Sequence, residues 1–169
     1  MTLHTVTSMD SPSGPGWYLA QHATTGRSAL FDWLCDREVT PWTPLHIQMT
    51  KRTDRVGGVR RTIRPVFPGY FFLHADFARH PIAEIKSHSA FISFVQFGAG
   101  VSPVSERLVT GLQRFYPDPL SDSAAIREAH ATPDGWLTRQ QYQHLVHLEE
   151  NARPVSRIKM LMDMIQAAA

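Results

Sequence analysis

The stretch FPGYFFLHAD, residues 67–76, decides the fold. Its Pro-Gly pair predicts a turn, and the aromatic and aliphatic residues after it predict a β-strand. Because side chains alternate along a strand, Tyr70 and Phe72 share one face, and Phe71 and Leu73 share the other. Two interpretations stay open: all four side chains are core residues, which composition alone favours, or one face is an exposed apolar surface.

Short strands and helices alternate on both sides of this stretch. Before it, WYLAQ predicts a strand, RSALFDWLCDRE predicts a helix capped by Thr25 or Gly26, and residues 39–52 predict an extended approach and then a strand. After it, HPIAEIKSHSA predicts a short helix, FISFVQFG a strand, and SPVSERLVTGLQRF a helix capped by Ser102. The order β-α-β-β-β-α-β-α predicts an α/β (α+β) fold with a mainly antiparallel sheet flanked by helices.

Composition bounds the class of protein. The chain has 169 residues, of which 43 % are apolar and 19 % charged, with a net charge of +2. These values predict one medium-sized domain, or one domain of about 100 residues with a smaller appendage, and they exclude a disordered polyelectrolyte. The chain has no run of about 18 apolar residues and no secretory signal pattern, so we expect a cytoplasmic protein without a membrane partner.

The residues give no pattern for catalysis. The chain contains no GxSxG, HExxH, P-loop or GxGxxG motif, and its acidic residues show no paired spacing. Cys35 lies in the first predicted helix, where a buried, inert thiol is favoured over a nucleophile. His144 and His147 lack a carboxylate or a third ligand, so we predict no metal site. We therefore expect a protein that is not an enzyme and needs no cofactor.

The segment TKRTDRVGGVRRTIR, residues 50–64, carries six Lys and Arg residues around a Gly-Gly turn. This pattern predicts the tip of a β-hairpin. Charge runs are usually solvated, but cations on a projecting arm also suit contacts with phosphates. The candidate nucleic-acid contacts in this segment are Lys51, Arg52, Arg60 and Arg61.

Four features occur in one order: the pair Trp17-Tyr18, a first helix at the expected distance, FPGY at residues 67–70, and FVQFGAGVSPVSERLVTGL. Together they resemble the N-terminal domain of the NusG family of transcription elongation factors over residues 17–116. The last stretch is most similar to the RfaH subgroup, and plasmid-borne relatives that accompany conjugation operons fit the same pattern. The resemblance implies the NusG N-terminal type of antiparallel sheet, flanked by helices.

The resemblance also implies a function. Members of the subgroup are specialised elongation and antitermination factors that promote expression of long operons. They bind the β′ clamp helices of RNA polymerase through an apolar patch, whose positions here are Tyr70, Phe72 and Phe97. The implied partners are RNA polymerase and the non-template DNA strand, a ribosomal protein is left open as a further partner, and we expect a monomer.

Two departures from the RfaH pattern concern its polar contacts. The His-Thr-Thr element that meets the gate loop of the β subunit reads Pro81-Ile82-Ala83 here, so that contact is lost or replaced. The positions that read a DNA hairpin in that subgroup have little cationic character here: they are Ala23, Thr24, Ala29, Trp33, His88 and Ser89. Trp33 or His88 can still stack on a flipped base, and His22 and Arg27 lie nearby in the chain.

The C-terminal unit stands where the family carries a KOW barrel, and it keeps only a degenerate form of that sequence. The turn glycines of a barrel are missing and helix formers dominate, although residues 158–164 also fit strand alternation. We predict a helical hairpin over 136–150 and 154–167 that lies on the patch and blocks polymerase binding. The residues expected to seat it are Leu145, Leu148, Ile158, Leu161, Met162 and Ile165.

The predicted organisation is a tail over residues 1–16, a domain over 17–116, a linker over 117–133 and the hairpin over 134–169. Two other functions stay open beside the elongation factor. One is a generic RNA-binding module that uses the sheet and the basic hairpin. The other is an interaction protein whose polymerase patch is permanently masked.

Overall fold

The computed structural model describes residues 14–54, 56–119, 137–151 and 154–168, without the side chains of 148–151 and 154–155. Strands and helices alternate along these residues. The elements, in chain order, are β1 (Pro15–His22), α1 (Arg27–Cys35), β2 (Thr40–Trp42), β3 (Leu45–Lys51), β4 (Val59–Pro65), β5 (Tyr70–Asp76), α2 (Ile82–Ile85), β6 (Phe91–Phe94), α3 (Glu106–Phe115), α4 (Arg139–Asn151) and α5 (Pro154–Ala167).

Four strands form one antiparallel sheet in the order β2-β5-β1-β6. β5 pairs with β1 from Asp76, opposite Pro15, to Tyr70, opposite Gln21. β3 and β4 pair with each other in a separate two-stranded sheet. The strand that the sequence marked as decisive is therefore an inner strand, and the predicted α+β fold with an antiparallel sheet is confirmed.

The FPGY turn places β5. The amide of Tyr70 donates to the carbonyl of Phe67 at 3.1 Å, and Gly69 between them has a φ of 83°. A residue with positive φ at the third position of a Pro-containing turn defines a type II turn, which only glycine adopts without steric cost. The turn that the Pro-Gly pair predicted is therefore present, and it sends the chain into the sheet at Tyr70.

The two faces of β5 belong to two apolar clusters, as the alternation predicted. Phe71 and Leu73 pack in one cluster with α1, through Leu30 and Leu34, and with α2. Phe72 packs in the other cluster with β1, α3, α4 and α5. Because both faces of the sheet are covered, the aromatic residues of this strand fill the cores on both sides.

Two local predictions were wrong. The cap of α3 is Ser105, whose hydroxyl accepts from the amide of Leu108 at 3.4 Å, and not Ser102. The reason is that the amide of Val104 donates to the carbonyl of Trp17 at 2.7 Å, which keeps the preceding residues extended beside β1. The first strand also begins earlier than expected, at Pro15.

The prediction of a buried Cys35 was also wrong, because its side chain is exposed. α1 buries Leu30 and Leu34, which lie four residues apart on one helical face. Cys35 follows Leu34 by one residue, a rotation of about 100° around the helix, and so it turns away from the sheet.

The C-terminal unit is helical, as its composition predicted, with α4 and α5 close to the expected bounds. α4 starts with a reciprocal capping box. The amide of Thr138 donates to the side-chain oxygen of Gln141 at 2.8 Å, and the amide of Gln141 donates to the hydroxyl of Thr138 at 3.1 Å. Most of the predicted tail, residues 1–13, and most of the predicted linker, residues 120–133, lie outside the residues described, as do residues 134–136 of the predicted hairpin.

Candidate protein-interaction surface

The predicted patch residues share one face of the four-stranded sheet. Phe72 is 1 % exposed in the apolar cluster of that face, and Tyr70 and Phe97 are half-buried and pack against the same cluster. The structure therefore brings together three side chains that are up to 27 positions apart in the chain. Phe72 lies deepest, and Tyr70 and Phe97 form the accessible part of the surface.

Hydrogen bonds and ring contacts hold Tyr70 and Phe72 in place. The Tyr70 hydroxyl accepts from the side-chain amide of Gln21 at 2.6 Å, and its backbone carbonyl accepts from the Thr43 hydroxyl at 3.1 Å. The ring of Trp42 lies 5.7 Å from that of Phe72. Because each ring has fixed neighbours, the surface is formed before any partner arrives.

α4 and α5 cover this surface. Leu145 and Leu161 are 0 % exposed, and they lie in the same apolar cluster as Phe72. The other predicted contacts on α5 are also in that cluster, with Ile165 buried and Ile158 and Met162 half-buried. Leu148 lies in α4, but its side chain is outside the part described.

The buried face of α5 is rotated from the predicted stripe. Met164 is 2 % exposed and Arg157 is 8 % exposed, so the buried positions run through 157, 161, 164 and 165. The spacing is helical, as expected, but the centre of the buried face is rotated around the helix by about one residue from the stripe that the sequence predicted. The sequence pattern did not predict that Arg157 is buried, because an Arg residue is expected to face solvent.

α3 and α4 also touch directly. The rings of Phe115 and Tyr142 lie 5.7 Å apart, nearly perpendicular at 77°. Aromatic pairs prefer this edge-to-face geometry, and each such pair contributes about 1 kcal/mol beyond its buried area. The helical hairpin is therefore seated on α3 as well as on the sheet.

The segment Pro81-Ile82-Ala83 stands where the RfaH pattern has its gate-loop element. It lies at the start of α2, on the other side of the sheet from α4 and α5. Pro81 is the N-terminal cap residue of α2 and makes no side-chain hydrogen bond there. Pro81 and Ala83 are exposed, whereas Ile82 is half-buried and packs against the α1 side of the core. These three side chains offer apolar contact area and no hydroxyl or imidazole group.

The candidate base-stacking residues lie together. The rings of Trp33 and His88 are 5.2 Å apart, and the guanidinium carbon of Arg37 lies 3.9 Å from the centre of the Trp33 ring. Arg37 also donates to the carbonyl of Trp33 at 3.1 Å. Sequence reasoning did not single out Arg37, although its position one helical turn after Trp33 was a signal for this cation–π contact.

His22 and Arg27 differ in exposure. His22 is 7 % exposed, and its ring lies 5.9 Å from that of Phe71. Arg27 is half-buried at the first position of α1. Only Arg27 of this pair presents its charge at the surface.

The β3–β4 hairpin carries the predicted cations on exposed positions. Thr50 pairs with Arg60 and Met49 with Arg61, so Arg60 and Arg61 point to opposite faces. Near the tip, Arg52 donates to both carboxylate oxygens of Asp54, at 2.9 and 2.6 Å. This contact lowers the pKa of Asp54 and raises that of Arg52, so the pair is neutral over the whole physiological range. Of the predicted cations, Lys51, Arg60 and Arg61 are left for a partner, and Arg64 on β4 is exposed as well.

Within the described part of the chain, no cluster of three or more His, Cys, Asp and Glu side chains is placed to hold a metal ion. None of the helices described there is long and apolar enough to cross a membrane.

The match to known proteins agrees with this geometry. A family model described as "Transcription termination factor nusG" matches residues 16–113, which span β1 to α3 and include all four strands of the main sheet. No curated protein matches the chain. Proteins with this domain are transcription factors that generally bind RNA polymerase. Because the match covers more than half of its residues, the chain belongs to the NusG family.

Proposed function

We propose that this chain is a specialised elongation and antitermination factor of the RfaH type, which acts on transcription without catalysing a reaction. It binds the β′ clamp helices of RNA polymerase through Tyr70, Phe72 and Phe97, and α4 and α5 keep that surface closed until recruitment. The observation that carries the proposal is the shared apolar cluster of Phe72, Leu145 and Leu161.

The masking follows from what the surface accepts. An apolar sheet face that seats two helices through Leu, Ile and Met side chains is complementary to a helical pair in general. The clamp helices present the same type of ligand, so the two pairs compete for one surface. Binding of polymerase then requires α4 and α5 to leave, and the measured affinity is reduced by the fraction of open molecules.

The other contacts are assigned by exposure. We propose that Lys51, Arg60 and Arg61 contact nucleic-acid phosphates, because exposed cations on an arm add affinity without reading sequence. At Pro81, Ile82 and Ala83 the polar gate-loop contact is replaced by apolar area. We propose that the protein is a cytoplasmic monomer that binds the non-template DNA strand. We do not propose a ribosomal protein as a partner.

The test is retention of purified RNA polymerase on the immobilised chain. Tyr70→Ala and Phe97→Ala are the informative variants, because both side chains are half-buried and the fold depends on them less than on Phe72. Ile92→Ala is the matched control, since Ile92 is 57 % exposed on β6 and lies outside both clusters. Removing α4 and α5 should increase retention, and the two patch variants should then abolish it while the control does not.

A generic RNA-binding module remains the second candidate, because the exposed cations of β3 and β4 favour it. It predicts strong, salt-dependent RNA binding in the absence of polymerase, and polymerase retention that Tyr70→Ala and Phe97→Ala leave unchanged. If the chain is instead an interaction protein whose patch is permanently masked, no polymerase should be retained even when the packing of α4 and α5 on the sheet is weakened. Either result would replace the elongation-factor proposal.

A further inference from the structure

A row of polar side chains crosses the apolar surface that is proposed to bind polymerase. Gln21 on β1 lies opposite Tyr70 on β5 and opposite Ser93 on β6. Side chains that lie directly opposite each other on antiparallel neighbours share one face of the sheet. That face is the one of Phe72, because Leu19, two residues before Gln21, pairs with Phe72 in the same apolar cluster. Three adjacent strands therefore each place one hydroxyl or amide group on this face.

The hydrogen bonds along the row run in one direction. The Ser93 hydroxyl donates to the side-chain oxygen of Gln21 at 3.3 Å. The side-chain NH₂ group of Gln21 donates to the Tyr70 hydroxyl at 2.6 Å. Because a side-chain amide has an acceptor on one side and donors on the other, the contact with Ser93 turns the donors of Gln21 toward Tyr70.

The Tyr70 hydroxyl keeps its own proton for a further contact. A phenol oxygen both accepts and donates, and the bond from Gln21 uses its accepting side. Among the described residues, this hydroxyl makes no second hydrogen bond, so α4 and α5 cover the ring without taking up the donor. A hydroxyl that already accepts is also a stronger donor, because the bonds in a chain polarise one another.

The group that completes the row is an acceptor on a helix, since this sheet face seats helices. Inside a helix, each backbone carbonyl already accepts from the amide four residues further on. The acceptors that a helix surface offers are therefore side-chain oxygens, either carboxylates or amide oxygens. A carboxylate gives the stronger bond, because it is charged.

We infer that Gln21 is a positioning residue of this surface. Held by Ser93, it leaves the Tyr70 hydroxyl to donate to a side-chain carboxylate or amide oxygen on the helices of the partner. The inference rests on the proposed function, because it takes Tyr70 as part of the polymerase surface. It adds a polar requirement to an apolar patch: helices with an apolar stripe but no acceptor opposite Tyr70 bind more weakly.

The first test is the affinity of the labelled full chain for purified core RNA polymerase. Tyr70→Phe keeps the ring and removes the donor, so affinity should fall about tenfold. Tyr18→Phe is the matched control, because it makes the same change in the cluster on the opposite face of the sheet. It should change affinity less than about twofold. Wild-type affinity in Tyr70→Phe would overturn the inference.

The second test asks whether Gln21 acts through Tyr70. Gln21→Met removes both hydrogen bonds at similar side-chain size and should lower affinity about fivefold. In the Tyr70→Phe background it should change affinity less than about twofold, because no hydroxyl is left to position. An equal loss in both backgrounds would overturn the positioning role. Thermal unfolding shows whether each variant is folded, and if Gln21→Met unfolds, Tyr70→Phe and Gln21→Glu decide.

Gln21→Glu tests the direction of the bond. A carboxylate only accepts, so it draws the Tyr70 proton toward β1 and removes the donor from the partner. Affinity should fall about tenfold. Gln48→Glu adds the same charge at an exposed position of β3 and should stay within about twofold of the wild type. Unchanged or higher affinity in Gln21→Glu would show that the partner donates to Tyr70, and would overturn the inference.

The results separate this inference from the proposed function. If Tyr70→Ala loses polymerase and Tyr70→Phe retains it at wild-type affinity, the polymerase surface stands and the inference fails. If neither the wild-type chain nor the chain without α4 and α5 retains polymerase, the proposed function fails, and the inference fails with it.

Discussion

Replacing Leu161 by Ala gives the sharpest test of the covered surface. Leu161 is 0 % exposed in the cluster that joins α5 to the sheet face of Phe72. Truncating a buried Leu to Ala costs about 2–5 kcal/mol, depending on how well the site collapses. If α4 and α5 detach as a unit, that cost falls on the closed state, because the side chain is solvated in the open state.

The magnitude follows from the population of open molecules. A loss of about 3 kcal/mol from the closed state raises the ratio of open to closed molecules by about 100-fold, since 1.4 kcal/mol is a factor of ten. The apparent affinity for RNA polymerase scales with the open fraction. It should therefore rise by up to the same factor, until most molecules are open.

The assay is titration of labelled chain with RNA polymerase, together with thermal unfolding. Leu30→Ala is the matched control, because Leu30 is also 0 % exposed but packs on the α1 side of the sheet. It should lower the stability of the domain by a similar amount and leave polymerase affinity nearly unchanged. If both variants lower the unfolding temperature and neither gains affinity, α4 and α5 are permanent core and the masking argument is refuted.

Three further predictions concern stability, each measured by denaturant unfolding. Gly69→Ala should cost about 1–2 kcal/mol because of the positive φ at that residue, whereas Gly100→Ala, which has open space for a methyl group, should be nearly neutral; equal effects would contradict the turn argument. Thr138→Ala removes half of the capping box of α4 and should cost about 1 kcal/mol, and no change would show that the box is not formed in solution. Burial, and to a smaller extent the charge of Asp76, raises the pKa of Tyr18 above its ordinary value of 10.0. The unfolded chain therefore ionises first, and stability should fall as pH rises through about 10. This fall should be smaller in Tyr18→Phe.

The faces and ends of the elements could largely be predicted from local sequence. Alternation along residues 70–73 assigned each side chain to the correct face, because a strand has a fixed period of two. The Pro-Gly pair located the turn, since few residues other than glycine accept its φ. The prediction failed at Ser102, where a bond between Val104 and Trp17 competes with the helix, and at Cys35, where the helical face was judged one residue too wide.

The candidate site also contains features that the sequence predicted and features that it did not. The sequence named Tyr70, Phe72 and Phe97 only through a resemblance, and it named the helices of the cover through composition. The enclosure of His22 could not be read from the sequence, because it depends on neighbours such as Phe71 from a distant part of the chain. The contact of Arg37 with Trp33 follows a local spacing of four residues, which sequence reasoning did not single out.

By itself, the sequence determined the periodicity of each segment, since local propensities and the spacing of apolar residues act within one or two turns of chain. It favoured helices over strands after residue 136, because Met, Leu, Lys and Ala outnumber β-branched residues there. Only the tertiary structure decided which face of α5 is buried, with Met164 and Arg157 inside, and that this face covers Phe72. Docking is the sum of many small contacts between distant segments, and no local pattern contains that sum.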